Sequence, residues 1–179
     1  MFRKILFAAT AAAVATAPIQ AACWKSEEAS AAGVRELQSM LMVAALRCQV
    51  AGHPMMADYN DFVQSNRSAI SAMNDRLKAH FIHSFGPVGG QRAYDSFTTS
   101  MANGYGAASS GADVCGDADS LAREGAALHG SVEGLMLLAE RQGLVAKLPE
   151  GLCQGAARTD YAMAGGASET VKRQVARLI

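Results

Sequence analysis

The sequence has none of the short motifs that mark the commonest catalytic and cofactor sites. No two cysteines stand at C-x-x-C spacing, which argues against a zinc ribbon, a thioredoxin-like redox pair and covalently attached haem. Neither a G-x-G-x-x-G fingerprint nor a P-loop is present, so a nucleotide would lack its phosphate cradle. No serine lies in a G-x-S-x-G turn. We therefore expect neither a catalytic site nor a bound cofactor.

The chain also lacks an excess of charge of either sign. Its 16 Lys and Arg residues balance 16 Asp and Glu residues. When Arg3 and Lys4 are removed with the leader described next, 14 basic residues face 16 acidic ones, a net charge of −2. Nucleic-acid binding needs a basic field that this balance does not supply, so we expect no nucleic-acid partner.

A long hydrophobic run occurs at the N-terminus and nowhere else. Arg3 and Lys4 precede an apolar, alanine-rich stretch over 5–18, and small residues follow up to Ala21. This is the layout of a secretory signal peptide over 1–21, with cleavage after Ala22 as the alternative. A lipoprotein would need a leucine-like residue where Gln20 stands. We expect a periplasmic or secreted protein whose mature chain has no membrane span.

Hydrophobic periodicity predicts an all-α fold. Apolar residues spaced three and four apart indicate four main helices, over 23–48, 55–85, 91–105 and 113–142. Glycine and proline separate the first three helices at 52–54 and 86–90. Within the fourth, Gly130 and Gly134 stand at the spacing that lets a neighbouring helix approach closely, although a glycine-rich composition explains them equally well.

These elements predict an up-down-up-down four-helix bundle over 22–153. A glycine-rich segment and a short terminal helix follow over 154–179. Trp24 is the only tryptophan, and we expect it to pack beside a disulfide at the start of the first helix. The faces of the first helix are expected to be architectural, with function on exposed sides of the second and third helices or in the C-terminal segment.

The cysteines that remain after cleavage are Cys23, Cys48, Cys115 and Cys153, and an even number in an exported chain indicates two disulfides. A helix over 23–48 would separate its two cysteines by about 37 Å. Disulfide Cα atoms must lie within about 7 Å of each other, so Cys23–Cys48 is excluded, and with it Cys115–Cys153. In the predicted bundle, Cys48 and Cys115 lie at one end and Cys23 and Cys153 at the other. We therefore predict Cys48–Cys115 and Cys23–Cys153.

Histidine and methionine supply the candidate metal ligands. His80 and His83 stand three residues apart on a predicted helix, a spacing that lets two imidazoles hold one metal ion. His53, Met55 and Met56 form a second, softer group of the kind that suits copper. Partly exposed histidines near a helix C-terminus and methionines that fill a core are the structural alternatives.

The segment CWKSEEASAAGVRELQSMLMVAALRC, residues 23–48, resembles the opening of short, exported, alanine-rich helical proteins of Gram-negative bacteria whose function is unassigned. Some of those proteins carry the label S-adenosylhomocysteine hydrolase. This chain is too short for that enzyme, is exported, and has no dinucleotide fingerprint. The resemblance therefore implies no activity and no site residues.

The function expected from the sequence is binding. Our first interpretation is an exported helical protein that binds an envelope protein or a small ligand. The alternatives are a periplasmic carrier of copper, zinc or a small ligand, and an enzyme whose site has no recognisable motif.

Overall fold

A computed structural model describes residues 23–106 and 111–153, and the regular elements among them are helices. They form α1 (Ser26–Val50), α2 (Met56–Ser65), α3 (Arg67–Gly106), α4 (Ala112–Ala126) and α5 (Val132–Arg141). The all-α prediction is confirmed, whereas the up-down-up-down order stays a prediction. The signal peptide over 1–21 and the C-terminal segment over 154–179 lie outside the described residues. No helix within the described ranges combines the length and the apolar character that crossing a membrane requires.

α1 is the central helix and contacts each of the other four. Small residues alternate with larger apolar ones along its buried positions, which lets neighbouring helices pack on several of its sides. The buried positions are Ala29, Ala31, Ala32, Gly33, Val34, Leu37, Ser39, Met40, Leu41, Ala45 and Cys48. A helix buried on more than one side therefore organises the core.

Asn66 divides the predicted helix over 55–85 into α2 and the first part of α3. The helical backbone bonds continue through it, because its N–H donates to the carbonyl of Phe62 and its own carbonyl accepts from Ile70. Its side chain is fully buried and donates from Nδ2 to the carbonyls of Phe62 and Gly125, both at 2.8 Å. Oδ1 accepts the N–H of Gly130 at 2.8 Å. One amide thus joins this break to the end of α4.

A second break divides the predicted helix over 113–142 into α4 and α5. His129 and Gly130 have φ of 48° and 85°, so the chain leaves the helical region at two consecutive residues. Ser131 then caps α5 by accepting the N–H of Gly134 at 3.0 Å. The prediction of one unbroken helix over 113–142 is therefore wrong. Gly130 lies in the break, and Gly134 lies in the first turn of α5.

Gly125 of α4 is the glycine at a close helix approach. A Cβ at this position would lie 2.6 Å from Cδ2 of Phe62, which is fully buried in α2. α2 and α4 therefore approach closely, because the ring of Phe62 packs directly on the backbone of Gly125.

α3 consists of two helical stretches that meet at Gly86, where φ is 71°, followed by Pro87. The sequence predicts the end of a helix here and a new helix from residue 91, whereas the chain resumes helical structure at once. The turn is tight: a Cβ at Gly90 would lie 2.5 Å from Cα of Ile82.

Two disulfides connect the two ends of α1 to later parts of the chain. Cys48 in the last turn of α1 is bonded to Cys115 in the first turn of α4, with Cα atoms 5.7 Å apart. Cys23, just before α1, is bonded to Cys153, with Cα atoms 4.8 Å apart. These are the two pairs predicted from the length of the first helix together with the alternating directions of the helices in the bundle. Residues 142–153, here named the strap, therefore return from the end of α5 to the start of α1.

Replacing Asn66 should destabilise the fold because the buried carbonyl of Gly125 and the N–H of Gly130 would lose their partner. We expect Asn66→Ala to lower the free energy of unfolding by about 1–3 kcal/mol in urea titrations. Asn60→Ala makes the same change at an exposed position of α2 and is the control. Equal stability of the two variants would contradict the bridging role of Asn66.

Two glycines of α4 should respond oppositely to alanine. A Cβ at Gly116 meets open space, so Gly116→Ala should raise the free energy of unfolding by about 0.5–1 kcal/mol. At Gly125 the new methyl would overlap the ring of Phe62, and we expect a loss of about 1–3 kcal/mol. Thermal unfolding of both variants against the parent measures the difference, and a stable Gly125→Ala variant would disprove the close packing.

Candidate functional site

A cavity of about 400 Å³ lies between α1, the end of α3, α4 and the first half of the strap. Most of its wall is apolar, supplied by six side chains: Met40, Phe97, Met101, Leu121, Leu144 and Val145. Small residues leave the space between them, notably Ala44 of α1 and Gly104 of α3. Its size and lining are those of a site for a small ligand.

Each element reaches the cavity for a local reason. Gly143, with φ of 66°, ends α5 in the left-handed conformation common at helix C-termini and turns the chain into the strap. The strap then buries Leu144 and Ala146 while Val145 and Lys147 stay exposed. On the opposite side, the guanidinium of Arg47 in α1 donates to the carbonyl of Gly106 and holds the end of α3.

The strap is held against α1 and α3 through Trp24. The backbone N–H of Trp24 donates to the carbonyl of Gly151 at 2.9 Å, and its carbonyl accepts the N–H of Cys153 at 3.0 Å. The indole Nε1 donates to the carbonyl of Pro149 at 2.6 Å. The ring centroid lies 5.6 Å from that of Phe97, which lines the cavity. The buried tryptophan thus connects the Cys23–Cys153 end to the cavity wall.

A carboxylate and a phenol form the polar part of the cavity. Tyr105 of α3 donates its hydroxyl to Oε1 of Glu36 in α1 at 2.8 Å. Burial raises the pKa of Glu36, against the opposing effects of the Tyr105 hydrogen bond and of Lys147. Burial, and then the charge and hydrogen bond of Glu36, hold the pKa of Tyr105 far above its ordinary value. Tyr105 therefore stays a hydrogen-bond donor, and the carboxylate is the group that can change charge.

Glu36 has one carboxylate oxygen without a donor. Oε2 is buried and has no hydrogen-bond partner among the described residues. The other charged side chains on the wall are Asp117 and Lys147, and both are exposed to solvent. The least solvated charge of the cavity is therefore an acceptor that lacks a donor.

The two histidines of the predicted metal site, His80 and His83, lie in different surroundings. His80 is buried: its Nδ1 lies 3.0 Å from Oε2 of Glu28, and its ring stacks on Trp24 with centroids 3.8 Å apart. His83 is exposed. In the described ranges, no three or more His, Cys, Asp or Glu side chains are grouped so as to hold a metal ion. The His80/His83 site stays a prediction.

The three residues of the second predicted metal site, His53, Met55 and Met56, also differ in burial. His53 is exposed in the loop between α1 and α2, whereas Met55 is 1% exposed and belongs to the core. Met56 is partly buried and packs against that core. The described positions fit methionine as core filler, the structural alternative named above.

The cavity is not predicted by the sequence. The sequence predicts architectural faces for the first helix, yet α1 supplies Glu36, Met40 and Ala44 to the wall. The usable signal was the apolar run over 144–146 directly after Gly143, which indicates a connector that packs onto the fold rather than a solvated loop.

The burial of Glu36 predicts a pH-dependent stability. Because the raised pKa means that the folded state holds the proton more tightly than the unfolded state, stability is highest below the ordinary value of 4.5 and falls as the pH rises through the raised pKa. Glu36→Gln removes this titration, so its thermal midpoint should gain on the parent between pH 4 and 8. Glu150→Gln, at an exposed strap position, is the control; an equal gain there would contradict the effect of burial.

Comparisons with known proteins leave the site as the basis for any functional conclusion. No family model, no curated protein and no solved structure matches this chain significantly. The resemblance of residues 23–48 to exported alanine-rich proteins therefore stays a prediction.

Proposed function

We propose that this protein is an exported, periplasmic binding protein that holds a small, mostly apolar molecule between α1, α3, α4 and the strap. The observation that carries the proposal is the cavity of about 400 Å³ with an apolar wall and few polar groups. Ligand sites in proteins have this size range and this composition. Export is supported by the signal-peptide pattern over 1–21 and by the two disulfides.

The same proposal includes the up-down order of the bundle. The bundle would have four antiparallel segments. They are α1, then α2 with the first stretch of α3, then the stretch of α3 after Gly86, and finally α4 with α5. The disulfide between the last turn of α1 and the first turn of α4 supports this order, because it brings together the ends that alternating directions would align.

Binding can be tested with a neutral apolar fluorophore, N-phenyl-1-naphthylamine, added to the purified mature protein. We expect a saturable rise in fluorescence with one probe per chain and a Kd in the micromolar range. Ala44→Leu places a larger side chain in the cavity wall and should weaken binding at least about tenfold.

Ala79→Leu is the matched control, since Ala79 is exposed on α3 and does not line the cavity. Unfolding curves of both variants establish that they fold. The proposal fails if the probe does not saturate, or if the two leucine variants bind it equally.

A further inference from the structure

The charges around the cavity differ in how far they are removed from water. Asp117 and Lys147 lie at exposed positions, where solvent screens them. The Glu36 carboxylate is more buried, and Oε2 is out of contact with solvent. A ligand that enters an apolar cavity meets the desolvated charge most strongly, because electrostatic interactions grow as the local dielectric falls.

One half of the Glu36 carboxylate is already used. Oε1 accepts the hydroxyl of Tyr105 at 2.8 Å, which fixes the position of the group. Oε2 has no partner among the described residues, although a carboxylate oxygen can accept more than one hydrogen bond. Because Glu36 itself lines the cavity, a ligand held there can bring a donor to this carboxylate.

We propose that the ligand is an apolar amine, with its hydrocarbon or aromatic body against the cavity wall and its protonated nitrogen donating to Glu36. The inference rests on the binding function proposed above and names its ligand class. A cationic donor supplies the hydrogen bond that Oε2 lacks and adds to the opposite charge that exposed Lys147 provides. The raised pKa of Glu36 agrees with this, since a bound cation would offset the desolvation of its charged form.

The other head groups fit the cavity less well. A carboxylate ligand would have to face Glu36, and its available cation is Lys147, which is exposed on the strap. A neutral alcohol could donate one hydrogen bond to the carboxylate but would bring no positive charge to it. Tyr105 acts in this arrangement as a positioning residue, because it holds Glu36 rather than the ligand.

Octylamine, octanol and octanoate separate these possibilities because they share one apolar chain. Each is titrated at neutral pH into the full mature protein carrying bound N-phenyl-1-naphthylamine. We expect octylamine to displace the probe at a concentration at least about tenfold lower than octanol, with octanoate weakest. Glu36→Gln should remove the preference for the amine over octanol, while Glu150→Gln should keep the parent's order.

Each contrary result has a distinct meaning. If neither the probe nor any octyl compound binds, the proposed function fails. If octanol or octanoate displaces the probe as readily as octylamine, binding stands and the amine inference is wrong. If Asp117→Asn rather than Glu36→Gln removes the preference, the assignment of the head group to Glu36 is wrong.

Discussion

The indole N–H of Trp24 donates to the carbonyl of Pro149, 125 residues later in the chain, and the position of the strap, which forms one wall of the cavity, depends on this contact. The ring is 1% exposed and stacks on His80 in the first stretch of α3. It also lies near Phe97, beyond the kink at Gly86. A single aromatic side chain therefore joins the start of α1, both stretches of α3 and the strap. The neighbouring Cys23–Cys153 bond makes the same connection covalently.

The cavity is a consequence of this arrangement. Its walls come from α1, α3 and α4 and from the first half of the strap, whose second half is held by Trp24. If the strap were free, Leu144 and Val145 would leave the wall and the Glu36 side chain would gain solvent. The desolvation of the carboxylate, on which both its raised pKa and the proposed ligand depend, is thus maintained from the other end of the strap.

The features that could be predicted from the sequence follow from local periodicity and length. The stripe over 23–48 predicts a helix, and its length alone separates Cys23 from Cys48 and directs each to another partner. The break at Asn66 could not be predicted, because the groups its amide contacts lie 59 and 64 residues away. Glu36 raises the same difficulty: its environment is decided by Tyr105, 69 residues later. Periodicity reports which residues are apolar, whereas a buried polar contact depends on which helices meet.

Glu36 is a charged residue at a position where the fold disfavours charge. Desolvation disfavours its charged form, and the Tyr105 hydrogen bond and the Lys147 charge oppose that effect without cancelling it. Folding alone does not explain a carboxylate here, since apolar groups in place of both partners of a buried hydrogen bond can be nearly neutral for stability. Conflicts of this kind are expected at functional sites. The burial that makes the carboxylate unfavourable in the empty cavity also strengthens its attraction for a cation that enters, so the loss of stability and the proposed affinity share one physical cause.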